Sequence, residues 1–71
     1  MTNENVRFTN KSWARKAMTI LVDKRVEFKT IYEYTGVDGY RIGLEYIDQS
    51  GANRKIWPDG DMLVDVIRTS V

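Results

Sequence analysis

The sequence predicts a two-layer α+β domain, with an N-terminal and a C-terminal helix packed on one face of a three-stranded antiparallel sheet in the order α-β-β-β-α. Three observations predict it. Apolar residues recur at helical spacing over 13–21, the period falls to two over 26–34 and again over 40–47, and the last ten residues return to an apolar pattern that a helix accommodates on one side. A chain of 71 residues has room for one hydrophobic core, so residues 1–71 are read as a single domain.

Taken in order, residues 1–9 are polar apart from Val6 and Phe8; the first few are expected to fray while Phe8 pins the segment. Thr9, Asn10 and Ser12 are all good N-cap types, and behind them Trp13, Ala14, Ala17, Met18, Ile20 and Leu21 form one stripe of a helix over Lys11–Asp23. Its other face carries Lys11, Arg15, Lys16, Thr19 and Asp23. Asn10-Lys11-Ser12 also spells a glycosylation sequon, read here as the start of the helix.

The two alternating runs form a hairpin. Val26, Phe28, Thr30, Tyr32 and Tyr34 share one face with Tyr40, Ile42, Leu44 and Tyr46, while Lys29, Ile31, Glu33, Arg41, Glu45 and Ile47 share the other. A three-residue loop Val37-Asp38-Gly39, with Gly39 in the left-handed conformation, would set Tyr34 opposite Ile42 and Tyr32 opposite Leu44, keeping apolar rows together. The turn-forming residues Gln49, Ser50, Gly51, Ala52 and Asn53 then lead to a short edge strand over 54–57, closed by Pro58.

Residues 62–71 admit two readings. As a fourth strand they have the β-branched Val64, Val66, Ile67, Thr69 and Val71, but Asp65 then shares a face with Leu63 and Ile67. As a helix, capped by Asp59 or Asp61, they gather Met62, Leu63, Val66 and Ile67 on one side. Coverage favours the helix, because one helix of three turns is too narrow to cover three strands.

Composition excludes several chemistries. The chain has no His and no Cys, which removes the commonest general base, the strongest nucleophile, disulfides and the usual zinc ligands; no Gly-rich phosphate loop followed by Lys is present either. No enzyme, cofactor or metal is expected, and Asp59 and Asp61 around Gly60 are read as turn and cap residues. The polar start and the single short apolar run ending at Asp23 give neither an export signal nor a membrane span, so a cytoplasmic protein is expected. Eleven basic and ten acidic residues leave a net charge of +1, too little for a strong global field.

Two sets of candidate binding residues follow. On the solvated face of the hairpin the predicted register sets Lys29 diagonal to Glu45 and Glu33 diagonal to Arg41, with Ile31 and Ile47 as a small apolar spot between them. That surface suits a small non-enzymatic protein-binding module, a regulator or inhibitor of a larger complex of the kind that phages and other compact genomes encode. The alternative is a nucleic-acid-binding accessory protein using Lys11, Arg15 and Lys16 of the first helix with Arg54 and Lys55 of the third strand. Phe28, Tyr32 and Tyr46 are expected on the core-forming side, which leaves no aromatic platform on the open face and argues against recognition of single-stranded nucleic acid by the sheet. A small chain without disulfides also leaves self-association open.

The element order resembles that of double-stranded RNA-binding domains. Where those domains carry a Lys-rich phosphate clamp, this chain has Asp59, Asp61 and Asp65, so the resemblance implies the layout and not the function. A fainter likeness to Sm-like barrels rests on Gly39, Gly43 and Asp48, whose spacing is not that of the family, and nothing is carried over from it.

Overall fold

The computed structural model describes residues 7–36 and 39–71. It contains β1 (Arg7–Phe8), α1 (Lys11–Asp23), β2 (Phe28–Tyr34), β3 (Gly39–Ile47), β4 (Asn53–Ile56) and α2 (Asp61–Ser70). The fold is α+β, with both helices on one side of a mixed four-stranded sheet. β3 is central: β2 flanks it on one side, and β1 (parallel) and β4 (antiparallel) share the other. The two-residue β1 is the element that the sequence pattern does not announce, being too short to show a period.

α1 has the predicted bounds and face. Ala14, Ala17 and Leu21 are fully buried, and the two alanines let the helix approach β3 closely. Its start is built differently from the expected side-chain cap. Asn10 occupies the N-cap position but makes no capping bond; it is 1% exposed, and its side chain turns to the sheet. Its Oδ1 accepts from the Ile42 N–H at 2.8 Å, while its Nδ2 donates to the carbonyls of Ile42 at 2.9 Å and Pro58 at 2.5 Å. One amide therefore extends the β1–β3 ladder by a rung and ties it to the segment behind β4. At the other end, Arg25 donates to the Val22 carbonyl and Val26 to that of Leu21, with Arg25 at φ +58°; this is a Schellman closure with arginine where glycine is usual.

The hairpin register differs from the predicted one by two residues. Tyr34 pairs with Tyr40, Tyr32 with Ile42, Thr30 with Leu44 and Phe28 with Tyr46. The left-handed glycine is Gly36, at φ +85°, whereas Gly39 is the first residue of β3 and packs against the Arg7 carbonyl and Thr9. Thr35 closes the loop by donating its N–H and its hydroxyl to the Gly39 carbonyl. The predicted turn residues Val37 and Asp38 lie outside the described residues. An even shift preserves the two faces of a strand, which is why the inside and outside assignments survive the wrong register.

The helix-side face of the sheet supplies Ile42, Leu44, Tyr46 and Ile56 to a core completed by Ala17, Leu21 and Ile67. On the other face Gly43 lies beneath Trp57. A Cβ at position 43 would come within 2.5 Å of the indole and 2.8 Å of Ile31, so only glycine fits there.

α2 is a helix, as coverage requires, but it begins at Gly60, with φ +135°, and neither Asp59 nor Asp61 caps it through its side chain. Its buried residues are Val64, Ile67 and Ser70, with Val66 partly covered; Met62 is 80% exposed and Leu63 lies at the margin. The helix is thus rotated from the predicted stripe. Its C-terminal end is anchored on the sheet, where the Tyr46 hydroxyl bonds the Ser70 hydroxyl and the Gln49 N–H donates to the Ser70 carbonyl.

Candidate functional site

The reach of α1 decides what the sheet exposes. Nine residues of β3 extend about 30 Å. Thirteen residues of α1 extend about 20 Å, starting where Asn10 meets Ile42. The hairpin end therefore runs past the start of the helix. Tyr32 and Tyr34 are each 58% exposed and Tyr40 is 37% exposed, although all three lie on the helix-side face. Tyr32, expected in the core, is instead a surface residue.

These rings form a floor rather than scattered side chains. Tyr34 and Tyr40, directly paired across the hairpin, have centroids 5.4 Å apart. Phe8, held beside Tyr40 by β1, reaches over β3 to within 5.8 Å of the Tyr32 ring. Both pairs are tilted, as the aromatic quadrupole favours.

Phe8 also forms one wall of a concavity of about 420 Å³ whose other residues are Thr9, Lys11, Ser12 and Arg15. This pocket sits at the start of α1, whose first turn has no acidic residue and no side-chain cap, so free backbone amides add partial positive charge to that of Lys11 and Arg15. The near-neutral total conceals a strong segregation: residues 1–25 hold six basic and two acidic residues, and residues 26–71 hold five basic and eight acidic.

Of the predicted nucleic-acid set, Lys11 and Arg15 come together beside the aromatic floor, and the other three do not join them. Lys16 stacks over the Trp13 ring, with Nζ 4.7 Å from its centroid. The Arg54 Nε donates to Asp48 Oδ2 at 2.8 Å, and Lys55 pairs with Glu45 across β3 and β4. Asp48 is itself a buried hub. Its carboxylate accepts from the Ser50 hydroxyl and N–H and from the Ala52 N–H as well as from Arg54, closing the β3–β4 turn. The Ser50 hydroxyl, then Arg54, then the Ala52 amide hold it well below the usual carboxylate range.

The predicted protein-contact set divides into two groups on the opposite face. Lys29 lies directly across from Glu45 and Glu33 directly across from Arg41, not diagonally, and Glu33 and Arg41 form an ion pair. Ile31 faces Gly43 and is half-buried beside Trp57, over which the Arg41 guanidinium sits 5.4 Å from the ring centroid. Ile47 is separated from Ile31 by the corrected register. It is 55% exposed and borders a concavity of about 300 Å³ with Lys29, Glu45, Glu27, Phe28 and Asn53.

Sequence reasoning missed Tyr32, Tyr34 and Tyr40 as surface residues, with half-buried Phe8 beside them. The available signal was length: two alternating runs of seven to nine residues outreach a helix of thirteen. Among the described residues no cluster of three or more acidic side chains could hold a metal ion, and no helix is long and apolar enough to cross a membrane. Comparison with family models, curated proteins and solved structures found no match to this chain.

Proposed function

We propose that this chain is a binding module rather than an enzyme, and that it holds single-stranded nucleic acid on the aromatic floor. The observation that carries the reading is the set of ring faces of Phe8, Tyr32, Tyr34 and Tyr40 beside Lys11 and Arg15. Single-strand binders combine stacking platforms, which tolerate any base, with cations that follow the backbone. Here a base would stack on Tyr32 or Tyr34, and a neighbouring phosphate would sit in the concavity at the start of α1. The absence of His and Cys supports a non-catalytic role.

The test is fluorescence anisotropy with labelled single-stranded RNA and DNA over a range of salt. Tyr32→Ala should weaken binding about tenfold, within the roughly 1–3 kcal/mol that one stacked base is worth. Its exposure predicts a melt close to that of the wild type. Combining Lys11→Glu with Arg15→Glu should flatten the salt dependence by about 1.4 in log–log slope, the share of two phosphates on a single strand. No binding to either strand at low salt removes the reading.

A protein partner on the opposite face is the second reading, favoured by exposed Ile47 at the rim of its concavity. Ile47→Asp is its test, because Ile31 packs beside Trp57 and its replacement would disturb the fold. Partner capture unchanged by Ile47→Asp counts against that surface.

A further inference from the structure

We propose that β2 pairs antiparallel with β2 of a second copy of this chain about a two-fold axis at Ile31. Among the described residues, β2 has a neighbour only on its β3 side. Thr35 donates its N–H to Gly39, which makes the odd positions of this strand the ones bonded to β3. The N–H and C=O groups of Phe28, Thr30, Tyr32 and Tyr34 therefore point outward from the sheet. An uncovered edge of seven residues is a template for another strand.

Charge selects the occupant and the register. With the axis at Ile31, Phe28 faces Tyr34 and Thr30 faces Tyr32 of the second copy, so outward groups meet outward groups along the whole strand. Lys29 then lies opposite Glu33 of the second copy, twice by symmetry. Within each chain Lys29 already faces Glu45 and Glu33 already binds Arg41. The order Glu45, Lys29, Glu33, Arg41 thus alternates in sign across four strands of the joined sheet. An axis at Thr30 would oppose Glu33 to Glu27, and one at Tyr32 would oppose Glu33 to Ile31 and Lys29 to Thr35. Only the central register is complementary in charge and uses every residue of β2. It also brings the tyrosines of both copies onto one continuous face. The pairing rests on the strand edge and does not depend on what that face binds.

The test is solution mass by light scattering, with circular dichroism as the fold control. The weight-average mass of the wild type should climb from the monomer value as concentration rises, reaching at least about one and a half times it near 1 mM, where even a millimolar contact is half occupied. Lys29→Glu sets acid against acid and Glu33→Lys sets base against base, so each variant alone should stay at monomer mass. An equimolar mixture of the two restores both opposite-charge pairs and should regain dimer mass. Thr30→Pro removes an outward N–H that β3 does not use and should also give a folded monomer. A wild type that stays monomeric overturns the proposal, as does a dimer that persists in all three variants. If the variants misfold, amide exchange in the wild type decides: protection of Phe28, Thr30, Tyr32 and Tyr34 must rise with concentration, and protection that does not change overturns the pairing.

Discussion

Asn10 and Asp48 are polar, buried and fully partnered, and each fixes a junction that apolar packing alone would leave loose. Removing the Asn10 amide orphans one N–H and two carbonyls in a dry environment, at about 1–3 kcal/mol for each unsatisfied group. Asn10→Ala should therefore lower unfolding free energy by about 3 kcal/mol, read from a urea titration. Asn10→Asp should fare little better, since a carboxylate accepts from Ile42 but cannot donate to the two carbonyls. Asp48 makes a pH-dependent contribution. Its folded pKa lies below its unfolded value, so the stabilisation is complete above the ordinary aspartate pKa of about 4 and is lost as pH falls toward the depressed folded value. Asp48→Asn should melt well below the wild type at pH 7, and the gap should shrink steadily below about pH 4. A gap that stays constant across the acid range would remove Asp48 as the source.

At the level of elements, the helix ends depart furthest from the expected chemistry. Both predicted side-chain caps are absent, because Asn10 is committed to the sheet and Gly60 occupies the N-cap of α2. The C-terminal end of α1 holds Arg25 in a left-handed conformation that costs an L-residue about 1–2 kcal/mol. Arg25→Gly keeps both closing hydrogen bonds and removes that strain, so it should stabilise the fold by about 1 kcal/mol and raise the melting temperature by several degrees. A lower melting temperature would mean that the Arg25 side chain contributes more than its backbone costs. The strands show the opposite balance of legibility. Their faces follow from alternation, although β2 begins at Phe28 rather than Val26 and β4 spans Asn53–Ile56 rather than 54–57, yet the register slipped because the loop was placed one residue too late: Thr35 and Gly39, not Gly36 and Tyr40, close the hairpin.

At the scale of the fold, two helices and a hairpin of unequal reach leave one end of the sheet without a lid among the described residues. The core concentrates where α1, α2, β3 and β4 meet; β2 touches it through Phe28 and then runs beyond it, with tyrosines on one face and, among the described residues, one edge unpaired. Both proposed interactions use that margin. Ligand stacking would take the ring faces, and a second copy would take the backbone groups at the edge. A domain of this size has little stability in reserve, and an uncovered strand edge is a natural place for it to gain more.

Residue order alone was enough to give the α+β class, the extent of α1, the two faces of the hairpin and the edge position of β4. Each is a consequence of local periodicity or of Gly and Pro placement, which a linear chain carries in full. The two-residue β1, the hairpin register, the rotation of α2, the burial of Asn10 and Asp48, and the exposure of Tyr32, Tyr34 and Tyr40 became visible in three dimensions alone. These depend on how far one element reaches over another and on which polar groups meet in space. A tyrosine at an inward-facing position is buried only if a helix is long enough to lie above it, and that length is a property of the assembled layers.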